Sequence, residues 1–122
     1  MKIKIVTEST EAFAEINNTK TASAIFEALP FESIAHRWGD EVYFEIPLEL
    51  EIEDGREILE IGDIAYWPPG NSMCIFFGPT PSSKGIEVRA YSSVTVFGRI
   101  IGDAKIFRAV KEGERIRVEV AN

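Results

Sequence analysis

The chain has 122 residues, of which 45% are hydrophobic and 27% are charged, a balance typical of a globular domain that needs no disulfide or metal to hold its core. Thirteen basic residues against twenty acidic ones give a net charge of −7, which disfavours nucleic-acid binding because phosphate backbones are repelled. No apolar run approaches the ~18 residues of a membrane span, and the single cysteine excludes an internal disulfide. We therefore expect one acidic domain over residues 1–122, located in the cytoplasm and not associated with a membrane.

The N-terminal part of the chain predicts a strand followed by the main helix. Residues 1–6 alternate charged and apolar side chains, which is typical of a strand and not of a secretory signal. Further along, four apolar residues recur at helical spacing, Asn18 offers a side chain that can cap the helix, and Pro30 ends it. The apolar stripe of this helix consists of Ala22, Ile25, Phe26 and Leu29.

From residue 41 the hydrophobic period changes to two. Apolar side chains occupy every second position of residues 42–52, and the positions between them are mostly acidic, which predicts a strand with one buried and one solvated face. Pro47 belongs to the outward set, so it marks an edge, a bulge or a break between two shorter strands. Asp54-Gly55 is a turn signal, and residues 57–61 are expected to return as the hairpin partner.

The rest of the chain predicts short strands separated by glycine and proline. Many short strands with this punctuation favour a sandwich or a closed barrel. The strand candidates are residues 64–67, 73–77, 86–91, 94–100, 105–110 and 115–120.

Residues 41–63 form the densest charged feature, with nine acidic residues against Arg56 alone. The ligand spacing of a calcium loop is absent, so a row of solvated glutamates is favoured over a metal site. A metal-dependent enzyme built on this acidic strand remains a third hypothesis. His36 and Cys74 are the only candidates for a Cys-His nucleophile pair, and the apolar neighbours of Cys74 predict a buried, inert thiol. We expect neither a metal nor a cofactor.

Three segments in a fixed order resemble the cyclophilin family. Residues 20–29, which begin Lys-Thr-Ala and end Ala-Leu, resemble its first helix, and residues 96–99, Val-Phe-Gly-Arg, resemble its Val-Phe-Gly-Lys strand. The run from residue 62 to 81 looks like the signature of a small prokaryotic group of cyclophilin-like proteins whose biochemical role is undetermined. The resemblance implies a mostly β fold, a closed antiparallel cyclophilin-like barrel with one main α-helix.

The resemblance implies only part of a prolyl isomerase site. Cyclophilins have a His-Arg pair whose arginine donates to the prolyl nitrogen and so weakens amide resonance, and His36-Arg37 matches this pair. The family's Ser-Gln-Phe-Phe strand falls on residues 74–77, so its groove phenylalanine corresponds to Phe77 and its glutamine to Ile75. The family's tryptophan and histidine are not retained. Arg37 and Phe77 are thus the candidate catalytic residues of an isomerase that is at most weak, and whether the chain is an enzyme stays open.

The same register predicts a groove on the outside of the barrel. Met73, Ile75 and Phe77 would face this groove, while Cys74 and Phe76 would face the core.

The predicted function depends on which residues line this groove. Trp67, Met73 and Ile75 are the candidate ligand-binding residues, while the alternative is that the aromatic residues at 66, 67, 76 and 77 all pack in the core. We expect a binding module for an extended or proline-containing peptide or for a small apolar ligand. Weak peptidyl-prolyl cis-trans isomerisation is the alternative function. An uncovered strand edge would allow homodimerisation.

Overall fold

The computed structural model describes residues 1–121, which form ten strands, one α-helix and two short 3-10 helices. The strands are β1 (Lys2–Thr7), β2 (Glu11–Ile16), β3 (Phe31–Ile34), β4 (His36–Arg37), β5 (Glu41–Glu45), β6 (Arg56–Leu59), β7 (Asp63–Trp67), β8 (Ser72–Phe76), β9 (Val88–Ile101) and β10 (Arg115–Ala121). The helix α1 spans Lys20–Ala28, and the 3-10 helices span Pro68–Gly70 and Ala104–Ala109.

Nine of the strands form one antiparallel sheet that curls into a barrel, in the order β3-β10-β1-β2-β9-β7-β8-β5-β4. The strands at its two ends, β3 and β4, do not hydrogen-bond to each other, so the predicted barrel is not closed by hydrogen bonds. The reason is that these strands follow each other in the chain with only Ala35 between them. The backbone of Ala35 bonds instead to Gly113 and Glu114, at 2.8 Å each. The predicted mostly β fold with one main helix is confirmed.

Helix α1 is capped by Thr19 and not by Asn18 as the sequence suggested. The Thr19 hydroxyl oxygen accepts the N–H of Ala22 at 3.1 Å, which satisfies a donor of the first turn. Glu53 adds a second cap, since its carboxylate accepts the N–H and the hydroxyl of Thr21, and these bonds lower the pKa of Glu53. None of the helices within residues 1–121 has the length and apolarity that crossing a membrane requires.

Several predicted elements differ from the observed ones for local reasons. β5 ends at Glu45, two residues before Pro47, because proline cannot continue the ladder. β6 pairs with β9 and not with β5, so the predicted hairpin is wrong; β9 is fourteen residues long and offers β6 a free edge. Residues 104–109 form a 3-10 helix where a strand was expected, because the Asp103 carboxylate accepts the N–H of Lys105 at 2.9 Å and starts a turn.

Strand β8 lies between two separate apolar clusters, and all five of its residues are buried. The barrel core fills one side and contains most of the large buried side chains of the protein. The outer cluster fills the other side, where β6 and the N-terminal half of β9 cover the barrel wall. We call these two groups the barrel core and the outer cluster; the outer cluster consists of Leu59, Ala65, Cys74, Phe76, Val88, Ala90 and Val94.

Candidate functional site

The sides predicted for the residues of β8 and for Phe77, which directly follows it, are wrong. Met73, Ile75 and Phe77 belong to the barrel core and have no exposed surface, whereas Cys74 and Phe76 lie in the outer cluster. Both sets are apolar, so their alternation separates the two faces without indicating which face is inside. A slip of one residue exchanges the faces of a strand. Placing Phe77, and not Phe76, on the outer face therefore reverses every assignment here.

A concave site, which we call the aromatic cleft, opens on the outer side of β5 and β8. Its volume is about 160 Å³, and both tryptophans of the chain line it. Trp67 lies on this cleft, and it is the one predicted site residue that does so within residues 1–121. The lining consists of Trp38, Glu41, Tyr43, Trp67, Cys74, Phe76, Ala90, Tyr91 and Val94.

Three aromatic rings from different elements build the walls of the aromatic cleft. The ring centroid of Tyr91 lies 6.0 Å from Trp38 and 6.0 Å from Trp67, with interplanar angles of 76° and 87°. These are edge-to-face contacts, which aromatic pairs favour over parallel stacking. The indole N–H of Trp67 donates to the Ser92 hydroxyl at 2.7 Å and fixes that ring. Tyr91 is 71% exposed, so it forms the outer rim of the cleft.

Glu41 is the acidic residue of the aromatic cleft. It begins β5 and is only 6% exposed, in contact with the thiol of Cys74 on the neighbouring strand. Burial raises the pKa of Glu41 to about 7, and the hydrogen bond with the Cys74 thiol opposes this shift. Burial, and then the charge of Glu41, raise the pKa of Cys74 well above its usual range. The thiol is therefore protonated at neutral pH and inert, which agrees with the buried cysteine expected from the sequence.

Sequence reasoning missed Glu41 because it stands in a row of acids that alternates with apolar residues. That pattern predicts a solvated side chain, and no local signal distinguishes Glu41 from Glu45, which is exposed on the same strand. What buries Glu41 is distant in sequence: the outer cluster and the aromatic walls contributed by β7 and β9.

Arg37 lies beside Phe77, but its guanidinium is engaged in structural contacts. The guanidinium carbon is 5.1 Å from the centroid of the Phe77 ring. Its nitrogens donate to the carbonyl oxygens of Gly39, Arg108 and Val110, at 2.8–3.2 Å. These bonds tie the β4–β5 turn to the end of the second 3-10 helix, so every nitrogen of the side chain has a backbone acceptor.

Two other acids of residues 41–63 have separate structural roles. Glu53 caps α1, and Asp63 is paired with Arg99 at 3.2 Å and with Arg56 at 3.7 Å. Within residues 1–121 no three side chains of the metal-ligating types gather at one point. The acidic residues on which the metal hypothesis depends thus lie in different parts of the fold.

Comparisons with known proteins agree with this architecture. The family model described as Cyclophilin-like matches residues 1–119. Among solved structures, the chain is similar to the solution structure of a hypothetical protein from Archaeoglobus fulgidus, with 40% identity and a TM-score of 0.85; the match covers 99% of this chain and 95% of that one. A comparison with curated proteins finds no match. The matched region includes every residue of the aromatic cleft.

Proposed function

The chain belongs to the cyclophilin-like family, and on that premise we propose that it is a binding protein whose aromatic cleft accepts a small apolar group. The observation that carries the proposal is the cleft itself, with walls of Trp38, Trp67 and Tyr91 and one acid, Glu41, among apolar neighbours. Binding sites for small molecules are concave and mostly apolar, with a few placed polar groups. The lining of this cleft has that composition.

The size of the aromatic cleft limits what it can accept. Its volume of about 160 Å³ is below the ~300–1,000 Å³ typical of pockets for drug-sized ligands. The occupant is therefore a compact group, such as a proline ring or a branched alkyl group, either free or carried by an extended peptide. In this proposal Trp67 keeps its predicted ligand-binding role. Met73 and Ile75 belong to β8 but pack in the barrel core, behind the cleft.

Tryptophan fluorescence tests the proposal directly, because both tryptophans line the cleft. We expect titration with 3,3-dimethylbutan-1-ol, a compact uncharged alcohol, to give a saturable change with an affinity of roughly millimolar. Tyr91→Ala removes one aromatic wall and should weaken binding by about 2–10-fold. Ile86→Ala is the matched control, since Ile86 is 95% exposed and outside the cleft. A signal that does not saturate, or that Tyr91→Ala leaves unchanged, would contradict the proposal.

A second candidate function is weak peptidyl-prolyl cis-trans isomerisation through Arg37 and Phe77. The observation in its favour is the 5.1 Å approach of the guanidinium to the Phe77 ring. Two observations weigh against it. The guanidinium donors bond to backbone carbonyls, and the Phe77 ring has no surface that a proline could contact.

We therefore expect no acceleration of isomerisation of an Ala-Pro peptide in a protease-coupled assay, even at high protein concentration. The physical reason is that a hydrogen-bond donor already paired within the fold cannot stabilise the twisted amide of the transition state. Acceleration by the wild type that is lost in Arg37→Lys, with the folded state of the variant verified by circular dichroism, would establish the isomerase instead.

A further inference from the structure

We infer that the group bound in the aromatic cleft is positively charged: a small organic cation of the alkylammonium class, with Glu41 as its counter-ion. This inference rests on the proposed function, because it names the ligand class of the same cleft.

The first argument is the electrostatic situation of Glu41. A carboxylate that is taken out of water is costly unless an opposite charge compensates it. Glu41 is 6% exposed, and among residues 1–121 no Lys, Arg or His lies within ion-pairing distance of its carboxylate. No basic residue lines the aromatic cleft either. A cation bound in the cleft would supply the opposite charge that the protein itself does not place there.

The second argument is the aromatic walls. The faces of tryptophan and tyrosine rings attract a cation held within ~6 Å of the ring centroid, and tryptophan does so most strongly. The planes of Trp38 and Trp67 stand at 76° and 87° to the plane of Tyr91, so the rings form adjacent walls and not a closed stack. Aromatic walls of this kind, completed by a carboxylate, are suited to an ammonium group with apolar substituents.

Other ligand classes fit the aromatic cleft less well. An anion would lie beside the Glu41 carboxylate, which opposes it. A metal ion would find one carboxylate and one protonated thiol, whereas hard cations take six or more oxygen ligands. The net charge of −7 also favours the approach of cations over anions. The combination of charge and apolar walls therefore selects an organic cation.

Binding of a cation requires the ionised form of Glu41, so the affinity should depend on pH. The titratable groups that line the cleft with Glu41 are Tyr43 on its own strand, Cys74 on β8 and Tyr91 on β9. Burial raises the pKa of Tyr43 and of Cys74, so both are neutral near pH 7. Behind Tyr43 lie the paired side chains of His36 and Glu112. With a pKa of about 7 for Glu41, the ionised fraction and hence the affinity rise about tenfold between about pH 6 and about pH 8.

The experiment compares two probes of the same shape, choline and 3,3-dimethylbutan-1-ol, which differ in the charge of the central atom. We expect choline to bind at least about tenfold more tightly at about pH 8, measured by tryptophan fluorescence and calorimetry. If the uncharged alcohol binds equally well or better, the inference is overturned and the proposed function stands. If neither probe binds, both are overturned.

Single-residue variants test whether Glu41 causes the preference for choline over the uncharged alcohol. Glu41→Gln should reduce the choline preference to within about twofold and abolish its pH dependence, because the amide carries no charge. Glu45→Gln is the matched control, the same substitution at an exposed position of the same strand, and should change neither. The pH profile is repeated in His36→Asn, which removes the histidine behind Tyr43. A pH dependence that follows His36 and not Glu41 would overturn the assignment of the counter-ion.

Discussion

Replacing Phe77 by alanine is expected to lower the free energy of unfolding by about 3–5 kcal/mol, the range measured for buried aromatic residues cut back to alanine. Phe77 has no exposed surface and packs in the barrel core, with its ring centroid 6.4 Å from that of Phe107 and 5.1 Å from the Arg37 guanidinium carbon. The substitution removes the apolar contacts of the ring and leaves a cavity that the surrounding strands fill only partly. Urea unfolding with a common m-value measures the loss.

The control for this prediction is Phe13→Ala, the same change at a position that is 42% exposed. Its cost should be well below that of Phe77→Ala, because less apolar surface is returned to water. The comparison also decides between the two faces of β8. An open groove position at Phe77 would cost about 1 kcal/mol or less, as surface substitutions do. Equal losses in the two variants would contradict the buried orientation observed here.

The second large effect is a pH-dependent stabilisation by Glu41→Gln. The pKa of Glu41 is raised from 4.5 to about 7 in the folded protein, so folding favours the protonated form. Below about pH 4.5 the carboxyl is protonated in both states and its contribution to stability is fully present. As the pH rises from about 4.5 through about 7, the unfolded chain releases the proton first and the folded state loses this stability. At about pH 8 the loss amounts to about 3 kcal/mol.

Because glutamine stays neutral at every pH, Glu41→Gln should be about 3 kcal/mol more stable than the wild type at about pH 8 and nearly equal to it at about pH 4.5. Urea unfolding of wild type, Glu41→Gln and Glu45→Gln at several pH values isolates this contribution from that of the other carboxylates. Equal stability of Glu41→Gln and wild type at about pH 8 would mean that Glu41 ionises freely and that the cleft imposes no desolvation.

The two substitutions test opposite faces of the same sheet. The barrel core fills one face of the sheet, and the other face carries Glu41, an acid whose ionised form is costly to bury. Groups that break the rule of burying only paired charges concentrate at functional sites. Glu41 is such a group, and a bound cation would offset the cost that Glu41 imposes on the free fold.

Local patterns in the sequence determined helix α1, strands β5 and β10, and the family. The helical spacing from Ala22 to Leu29 marks α1, because residues three and four apart share one face of a helix. The alternation in residues 42–45 and in residues 115–120 marks β5 and β10 for the corresponding reason of a period of two. The three motifs that resemble cyclophilins also indicated the family, since short motifs carry information without any knowledge of tertiary contacts.

Only the tertiary structure decided which side of β8 is inside and that Glu41 is buried. Alternation separates the residues of a strand into two sets, but β8 is covered on both faces, so both sets had to be apolar. The environment of Glu41 depends on β7 and β9, which are distant in sequence and lie over it only after the sheet has curled. The burial of a side chain is a property of everything packed against it, and for these residues most of that packing comes from elsewhere in the chain.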